Sequence, residues 1–244
     1  MAGAPPLTVQ VVLFQTPLAA IWRQLRGIIA ATSYARRAEA VGDVSVTYGD
    51  SSPLPVMGTE AFADLERAGL ESGLVRLTYD HFGENLGSGG GSNRLARSGA
   101  GPFFCVLNPD AFPDPRVFER LLAPFGDPSV AAADARQIPC EHPKAFDRAS
   151  GDTSWVSGAA MMVRREAFEQ VGRFSADLFP MYCDDVDLSW KLRLAGWRTV
   201  HVPSALVFHD MRPAAGGVEP RPTERYWSAL SRLLLCRRWG RADQ

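Results

Sequence analysis

The stretch Val9-Gln10-Val11-Val12-Leu13-Phe14 is an almost uninterrupted apolar run near the start of the chain. A strand with one face in water alternates apolar and polar residues, whereas a strand covered on both faces does not. The run therefore predicts a central strand of a parallel sheet. Residues 19–37 predict a helix after it, and further strands are predicted at 44–48, 74–79 and 103–107. This alternation predicts an α/β fold with a mostly parallel central sheet flanked by helices.

The second half of the chain has a less regular pattern. Residues 134–154 are polar, which predicts a surface loop. A Pro/Gly-rich stretch at 212–222 predicts a linker, so residues 1–210 are expected to form the main domain. Residues 211–244 are expected to form the linker and a C-terminal helix, packed on that domain or at a membrane surface. Helices are predicted at 165–171, 185–195 and 224–239, and late strands at 199–202 and 205–208.

The overall composition excludes several classes of protein. The chain has 244 residues with 26 basic and 27 acidic side chains, so the net charge of −1 gives no reason to expect a nucleic-acid partner. The four cysteines are scattered and form no CxxC pair, which argues against a zinc site and a disulfide framework. No signal peptide or membrane span is recognisable. We therefore expect a cytoplasmic protein, either free or peripheral to the inner face of the cell membrane.

Polar residues follow two of the predicted strands directly. Ligands of open α/β sheets bind beyond the carboxyl ends of the strands, so these residues are candidates for a binding site. Asp50 could accept hydrogen bonds from a nucleobase or ribose, or could instead open a tight turn. Asn108 and Asp110 are two residues apart and would project together, as ligands of Mg²⁺ or Mn²⁺ or as a turn.

A glycine-rich segment lies between the third predicted strand and a helix. Residues 85–93 contain four glycines, and backbone without Cβ atoms can approach a ligand closely. We expect a loop here, either one that contacts phosphate or a flexible linker.

A second acidic centre comprises Asp184, Asp185 and Asp187 in the first turn of a predicted helix. Carboxylates at this position can act as a helix cap, but three of them repel one another. Such repulsion raises a pKa, which suits a general base that takes a proton from a hydroxyl group. Lys191 is expected to pair with Asp187, which leaves Asp184 and Asp185 for chemistry. His209 follows the last predicted strand; an isolated histidine of this kind is most often structural.

The order of these segments resembles that of the family 2 glycosyltransferases with the GT-A fold. It is most similar to the rhamnosyltransferase-like branch, which acts in the biosynthesis of bacterial cell-wall and other cell-surface polysaccharides. The resemblance covers about residues 7–210 and departs from the family at Phe14-Gln15-Thr16, where the family has Thr-Tyr-Asn, and at Asp184, where it has Glu. The matching segments are Gly49-Asp50-Ser51-Ser52, residues 85–93, Leu107-Asn108-Pro109-Asp110, residues 157–168, Val171-Gly172-Arg173-Phe174, residues 182–188, Gly196-Trp197, Val202-Pro203 and His209.

The resemblance implies a role for each candidate residue. Asp185, paired with Asp184, would be the catalytic base, and Asp110 and His209 would hold Mg²⁺ or Mn²⁺. Trp155 and residues 157–159 would lie near the sugar and the acceptor. The residues expected to contact the nucleotide-sugar donor are Asp50, Asn85, Gly87, Asn93, Asn108 and Asp110.

The implied function is an inverting transfer of a sugar from a nucleotide-diphosphate donor to a hydroxyl group. dTDP-rhamnose is the expected donor, with UDP- and GDP-sugars as alternatives. The acceptor would be a glycan, a lipid-linked molecule or a natural product. Two other classes stay open: a nucleotidyltransferase, which would need a basic glycine-rich loop after the first strand, and a non-catalytic sugar-nucleotide-binding module, which would not need the Asp184-Asp185 pair. Peripheral membrane contact through the C-terminal helix and a homodimer are also open.

Overall fold

The computed structural model describes residues 3–99, 101–210 and 222–240. These residues form eight strands and seven α-helices around one sheet. In chain order the elements are β1 Leu7–Leu13, α1 Leu18–Arg37, β2 Val44–Asp50, α2 Thr59–Glu71, β3 Arg76–His81, α3 Gly87–Ser98, β4 Phe103–Leu107, β5 Ala111–Pro113, α4 Val117–Leu122, a 3₁₀ turn Ala123–Gly126, β6 Val130–Ile138, β7 Ala160–Arg164, α5 Arg165–Gln170, α6 Asp184–Leu194, β8 Arg198–His209 and α7 Pro222–Trp239.

The strands lie in the order β3-β2-β1-β4-β7-β6-β8-β5. β1 pairs in parallel with β2 and β4, β2 with β3, and β6 with β8. The remaining pairs, β4/β7, β6/β7 and β5/β8, are antiparallel. The predicted α/β class with a mostly parallel sheet is therefore confirmed. Strand order reverses around β1, which opens a crevice at the carboxyl ends of β1 and β4.

Helices cover both faces of this sheet, as the two hydrophobic clusters show. Cys105 and Leu107 of β4 belong to one cluster, while Phe104 and Val106 belong to the other, because successive residues of a strand point to opposite faces. The first cluster contains the buried residues of α1, α2 and α4, and the second contains those of α3, α5 and α6. Burial on both faces explains the apolar run that predicted β1.

The glycine-rich segment is mainly helical, so the loop expected at 85–93 is wrong from Gly87 onward. The glycines let α3 pack closely against its neighbours. A Cβ on Gly91 would lie 2.7 Å from a methyl group of Val12, and one on Gly87 would lie 2.2 Å from the Pro180 carbonyl oxygen. Gly87 also has a φ of +67°, which favours glycine.

The surface loop expected at 134–154 is also wrong in its first part. β6 continues to Ile138, and Asp134 within it has no exposed surface. The strand escaped prediction because Ala131, Ala132 and Ala133 have low strand propensity. The two late strands are one continuous strand, β8, and α2 and α4 were not predicted.

The C-terminal helix packs on α6 and begins at Pro222, the last residue of the linker expected at 212–222. The rest of that linker lies outside the described residues. None of the described helices has the length and apolar character that crossing a bilayer requires.

We predict that Gly91→Ala destabilises the fold, because its Cβ would meet both methyl groups of Val12 at 2.7 and 2.8 Å. Overpacking of this kind costs about 1–3 kcal/mol. Denaturant unfolding would measure the loss. Gly126→Ala is the matched control, since a Cβ at Gly126 meets nothing within 4 Å. Equal stability of both variants and the parent would contradict close packing of α3 on β1.

Candidate active site

The candidate residues gather at the carboxyl ends of β2 and β4 and at the start of α6. β7 runs antiparallel beside β4, and the Asn108 backbone N–H donates to the Ala159 carbonyl at 2.9 Å. The turn that carries Asn108 and Asp110 is thereby held beside the segment that leads into β7.

Asp50, the last residue of β2, is completely buried. Its carboxylate accepts hydrogen bonds from the backbone N–H groups of Ser52 and Val56 and from the Tyr79 hydroxyl, at 2.9, 2.8 and 2.5 Å. Burial alone would raise the pKa of Asp50, but these hydrogen bonds lower it. Asp50 therefore fixes the loop after β2, and its direct contact with a nucleotide stays a prediction.

A cavity of about 370 Å³ lies between the loop after β1 and the loop after β2. Residues 15–18 line one side and residues 52–56 the other. The Gln15 backbone N–H donates to the Ser52 hydroxyl at 2.7 Å and joins the two loops. Sequence reasoning did not find this cavity, because it depends on two loops that are distant in the chain.

Asp110 and His209 lie side by side. β5 pairs with β8 so that Ala111 is opposite His209, and the Asp110 Oδ1 atom is 3.2 Å from His209 Nε2. The Asp110 side chain is half exposed, while that of His209 is only 6% exposed. Burial would raise the pKa of Asp110, but hydrogen bonding and charge interaction with His209 lower it. Two residues 99 apart in the chain therefore form one candidate ligand pair.

The Gln24 side chain, completely buried in α1, holds the turn that carries Asp110. Its amide nitrogen donates to the backbone carbonyl groups of Asn108 and Ala111 at 2.6 and 3.1 Å. Sequence reasoning missed this residue, since a polar residue at a buried helix position gives no sign of its partner.

The buried Gln137 side chain fixes the orientation of His209. Its amide nitrogen donates to the Ser157 hydroxyl at 3.0 Å, so its oxygen must accept from His209 Nδ1, which lies 2.6 Å away. In the neutral ring the Nε2 lone pair then faces the Asp110 carboxylate. Two acceptors at this distance need a cation between them, either a proton or a metal ion. Such outer hydrogen bonds typically orient histidine ligands of metals.

The residues present fit a divalent cation that shares its ligands with a phosphate group. Within residues 3–99, 101–210 and 222–240, no set of three or more His, Cys, Asp or Glu side chains is arranged to hold a metal ion. Asp110 and His209 supply two ligands, and Mg²⁺ or Mn²⁺ commonly binds through few protein groups and several substrate oxygens. The role of this pair as metal ligands stays a prediction.

Asp184 and Asp185 begin α6. The Asp185 carboxylate accepts hydrogen bonds from the backbone N–H groups of Gly158 and Val186 at 2.9 and 2.8 Å. Asp184 is buried, whereas Asp185 is partly exposed. The two preceding residues, Tyr182 and Cys183, both have positive φ angles of 64° and 61°. Such backbone strain is common at functional sites.

Both carboxyl groups have raised pKa values. Burial raises the pKa of Asp184 to about 7, with further contributions from the charges of Asp185 and Asp187. Burial also raises the pKa of Asp185, although the N–H groups of Gly158 and Val186 and the charge of Lys144 act against it. The expected pair of Asp187 with Lys191 is present at 3.8 Å.

A continuous path of close contacts and one peptide bond connects the two acidic centres. It runs from Asp110 to His209, then through Gln137 to Ser157. Gly158, the next residue, donates to Asp185. Two centres that are 75 positions apart in sequence thus share one side of the molecule.

The remaining predicted contacts have structural partners. The Asn93 side chain makes two hydrogen bonds with the backbone of Phe174, at 2.9 and 3.0 Å, and Asn85 accepts from the Gly87 N–H at 3.0 Å. Both interactions hold the segments around α3. Contact of Asn85, Gly87, Asn93 and Asn108 with a donor stays a prediction.

A buried charged cluster behind Ser157 was missed. The Asp134 carboxylate interacts with Lys144, with His201 Nδ1 at 2.8 Å and with the Ser157 backbone N–H at 2.7 Å. Lys144 also lies over the Trp155 ring, 4.2 Å from its centroid. The cluster holds residues 139–156 against the site. It was not predicted from the sequence because Asp134 was assigned to a surface loop.

Comparison with known proteins finds glycosyltransferases. The family model "Glycosyl transferase family group 2" matches residues 141–232. The N-acetylglucosaminyl-diphospho-decaprenol L-rhamnosyltransferase of Mycobacterium tuberculosis is 35% identical over 137 residues, which is 51% of this chain and 41% of that protein. The chain thus spans about two fifths of the length of this curated relative.

Solved structures share the fold. GalNAc-T7, solved with UDP, GalNAc and Mn²⁺, superimposes with a TM-score of 0.69 at 14% identity, over 86% of this chain and 44% of that one. The mannosyltransferase PcManGT of Pyrobaculum calidifontis, in complex with GDP-Man and Mn²⁺, gives 0.62 at 19% identity, over 98% and 72%. The sheet and its helices are therefore those of the GT-A fold. The chain is similar to family 2 glycosyltransferases, and among them to a rhamnosyltransferase, in agreement with the resemblance seen in the sequence.

We predict that Asp184→Asn changes how stability depends on pH. The folded-state pKa of about 7 is above the ordinary value of 3.8, so the folded protein binds this proton more tightly than the unfolded chain. The resulting stabilisation is complete below pH 3.8 and is lost as the pH rises through 7. Between these values Asp184 would contribute a slope of up to about 1.4 kcal/mol per pH unit.

Urea unfolding from pH 5 to pH 8 would test this. The parent should lose stability with rising pH more steeply than Asp184→Asn. Asp177→Asn, at an exposed position, should follow the parent. Parallel curves for the parent and Asp184→Asn would refute a raised pKa at Asp184.

Proposed function

We propose that the chain is a metal-dependent, inverting glycosyltransferase that moves a sugar from a nucleotide diphosphate to a hydroxyl group. The observation that carries this proposal is the path of close contacts from Asp110 and His209 through Gln137 and Ser157 to Gly158 and Asp185. This path links a candidate cation pair to a candidate base, and metal-dependent transfer of a sugar to a hydroxyl group uses both.

The donor would lie along the carboxyl ends of β1, β2 and β4. Its nucleoside would occupy the cavity between residues 15–18 and 52–56, whose shape Asp50 maintains through Ser52 and Val56. Its diphosphate would reach Asp110 and His209. A divalent cation bound there would neutralise charge that develops on the leaving phosphate oxygens.

Asp185 is the proposed base because it is the more accessible of the two carboxyl groups at the start of α6. Its carboxylate removes the proton of the acceptor hydroxyl while that oxygen bonds to the anomeric carbon of the sugar. The bond from the anomeric carbon to the β-phosphate oxygen breaks on the opposite face, and the nucleotide diphosphate leaves with the electron pair. The Gly158 and Val186 N–H groups hold the carboxylate in place during this step.

The relative from Mycobacterium tuberculosis suggests the substrates. Its name specifies an L-rhamnosyl group and a lipid-linked diphosphate acceptor. For this chain we propose dTDP-rhamnose as the donor and a hydroxyl group of a lipid-linked glycan as the acceptor. The family comparisons do not favour a nucleotidyltransferase or a non-catalytic binding module. Membrane contact through α7, a cytoplasmic location and a homodimer stay predictions.

The direct test is an assay of nucleoside diphosphate released from dTDP-rhamnose, UDP-sugars and GDP-sugars, with and without Mn²⁺ and a polyprenyl-diphosphate-linked glycan. Thermal-shift measurements would first identify which donor binds. Release that depends on both metal and acceptor is expected. A chain that binds none of these donors in the presence of Mn²⁺ would refute the proposal.

We predict that Asp185→Asn lowers the rate constant of transfer by about 100-fold or more, because the amide cannot take up the acceptor proton. Donor affinity should stay within about twofold, since the change is isosteric. Steady-state kinetics and donor titration would measure both quantities. Asp177→Asn serves as the control at an exposed position nearby in sequence. Full activity of Asp185→Asn would remove this residue from the mechanism.

We predict that Asp110→Ala removes the dependence of donor binding on the metal ion. In the parent, Mn²⁺ should tighten donor binding by about tenfold or more, corresponding to roughly 1.4 kcal/mol. In the variant, donor affinity with Mn²⁺ should fall to the value measured with EDTA. Calorimetric titration with and without Mn²⁺ would show this. Unchanged enhancement by Mn²⁺ in Asp110→Ala would place the cation elsewhere.

A further inference from the structure

The third aspartate of α6 has a separate function from the two before it. Asp187 is completely buried, and both of its carboxylate oxygens have partners. Its Oδ2 atom accepts a hydrogen bond from the Ser175 hydroxyl at 2.7 Å. Its Oδ1 atom accepts from Arg238 Nε at 2.8 Å and from the Trp239 indole N–H at 3.1 Å. The last turn of α7 therefore binds the first turn of the helix that carries Asp184 and Asp185.

The charges at this contact show what α7 contributes. A fully buried carboxylate is stable only when it is paired and hydrogen-bonded. Lys191, on the same helix, is 3.8 Å from Asp187 and also donates to the Arg173 carbonyl and the Ser175 hydroxyl. Arg238 is closer, and it comes from an element about 50 residues later in the chain. Without Arg238 and Trp239, the Oδ1 atom would lose both of these donors.

α7 also holds the segment just before the base. The Ser231 hydroxyl donates to the Met181 carbonyl at 2.7 Å, and Met181 precedes the two residues with positive φ, Tyr182 and Cys183. The Trp239 ring packs against the Trp190 ring of α6, with centroids 5.6 Å apart and planes at 86°. α7 therefore contacts both the segment that precedes Asp184 and the part of α6 that follows Asp185.

The position of α6 matters for the reaction because the hydrogen bond from the Gly158 N–H to Asp185 depends on it. A shift of about 1 Å in a reacting group can lower a rate by about 100-fold. The Gly158 N–H, in the segment before β7, donates this hydrogen bond to the Asp185 carboxylate. Rotation or sliding of α6 relative to that segment would break the bond.

We propose that Arg238 and Trp239 are positioning residues that fix the catalytic helix α6 through Asp187. This proposal rests on the proposed function, because it assigns the base to α6. The C-terminal helix thereby supports the active site from outside the sheet, although neither Arg238 nor Trp239 contacts the substrate.

The test compares Arg238→Met and Trp239→Phe with Arg237→Met. Arg237 is the adjacent arginine, with an exposed side chain, so its variant removes the same charge from the same helix turn. The first two variants should lower kcat by about tenfold or more while the donor KM stays within about twofold. Arg237→Met should keep the parent's kcat, and Arg238→Lys should recover part of the lost rate.

Two outcomes would overturn the proposal. One is a kcat for Arg238→Met and Trp239→Phe equal to that of Arg237→Met. The other is that these two variants melt at a lower temperature than the parent but keep the parent's kcat below their melting temperature. The contact would then contribute to stability alone. Trp239→Phe keeps an aromatic ring while it removes the N–H donor and part of the ring system, so it is informative even if Arg238→Met fails to fold.

A measurement without substrate separates this proposal from the proposed function. The indole N–H resonance that disappears in Trp239→Phe should shift in Asp187→Asn, where a neutral amide replaces the carboxylate. A parent without transferase activity would refute the function while this shift could still be present. An unchanged resonance in Asp187→Asn would refute the contact itself.

Discussion

The geometry of the site depends on the two hydrogen bonds of the buried Gln137 carboxamide. Its oxygen accepts from His209 and its nitrogen donates to Ser157, so one side chain sets the ring orientation of His209 and the position of the segment before Gly158. A carboxamide can do both because it has a donor and an acceptor on one rigid plane. β6 brings it there, and β6 lies between β7 and β8 in the sheet. The order of the strands in the sheet thus connects the two acidic centres without a bound ligand.

Much of the framework could be predicted because the strands near β1 are buried on both faces and are therefore apolar throughout. Asp110, Asp184 and Asp185 became candidates because they follow a strand or begin a helix, where a polar cluster is conspicuous, whereas the role expected of His209 came from the family resemblance. Gln137 and Gln24 could not be found, since each is a single polar residue whose role appears only with its partners. The first half of α3 was missed for a different reason. Its glycines favour a loop when taken alone, and only packing against Val12 and Phe174 makes a helix stable there.

The start of α6 concentrates negative charge in a buried region, and the surrounding structure compensates this charge unequally. Asp187 receives a nearby cation and several hydrogen bonds, so it is a well-satisfied buried carboxylate. Asp185 is held by backbone N–H groups and is partly exposed. At Asp184 burial first, and the charges of its neighbours second, raise the pKa to about 7, although hydrogen bonds with backbone groups act against this rise. The three aspartates of this helix turn therefore differ because their partners differ. Asp187 stabilises the structure, whereas Asp184 and Asp185 are candidates for chemistry.

The close packing of α3 has a consequence for the temperature range of the protein. Glycine costs about 1 kcal/mol relative to alanine in a helix, so Gly87, Gly89, Gly90 and Gly91 leave this helix dependent on its contacts. Gly89 is among them, and its α-carbon faces the Asp184 carboxylate: a Cβ there would be 3.2 Å from Oδ2. On warming, we expect α3 to fray before the sheet melts, which would admit water beside Asp184. The upper temperature limit of activity would then be set by this one helix and would lie below the melting point of the domain.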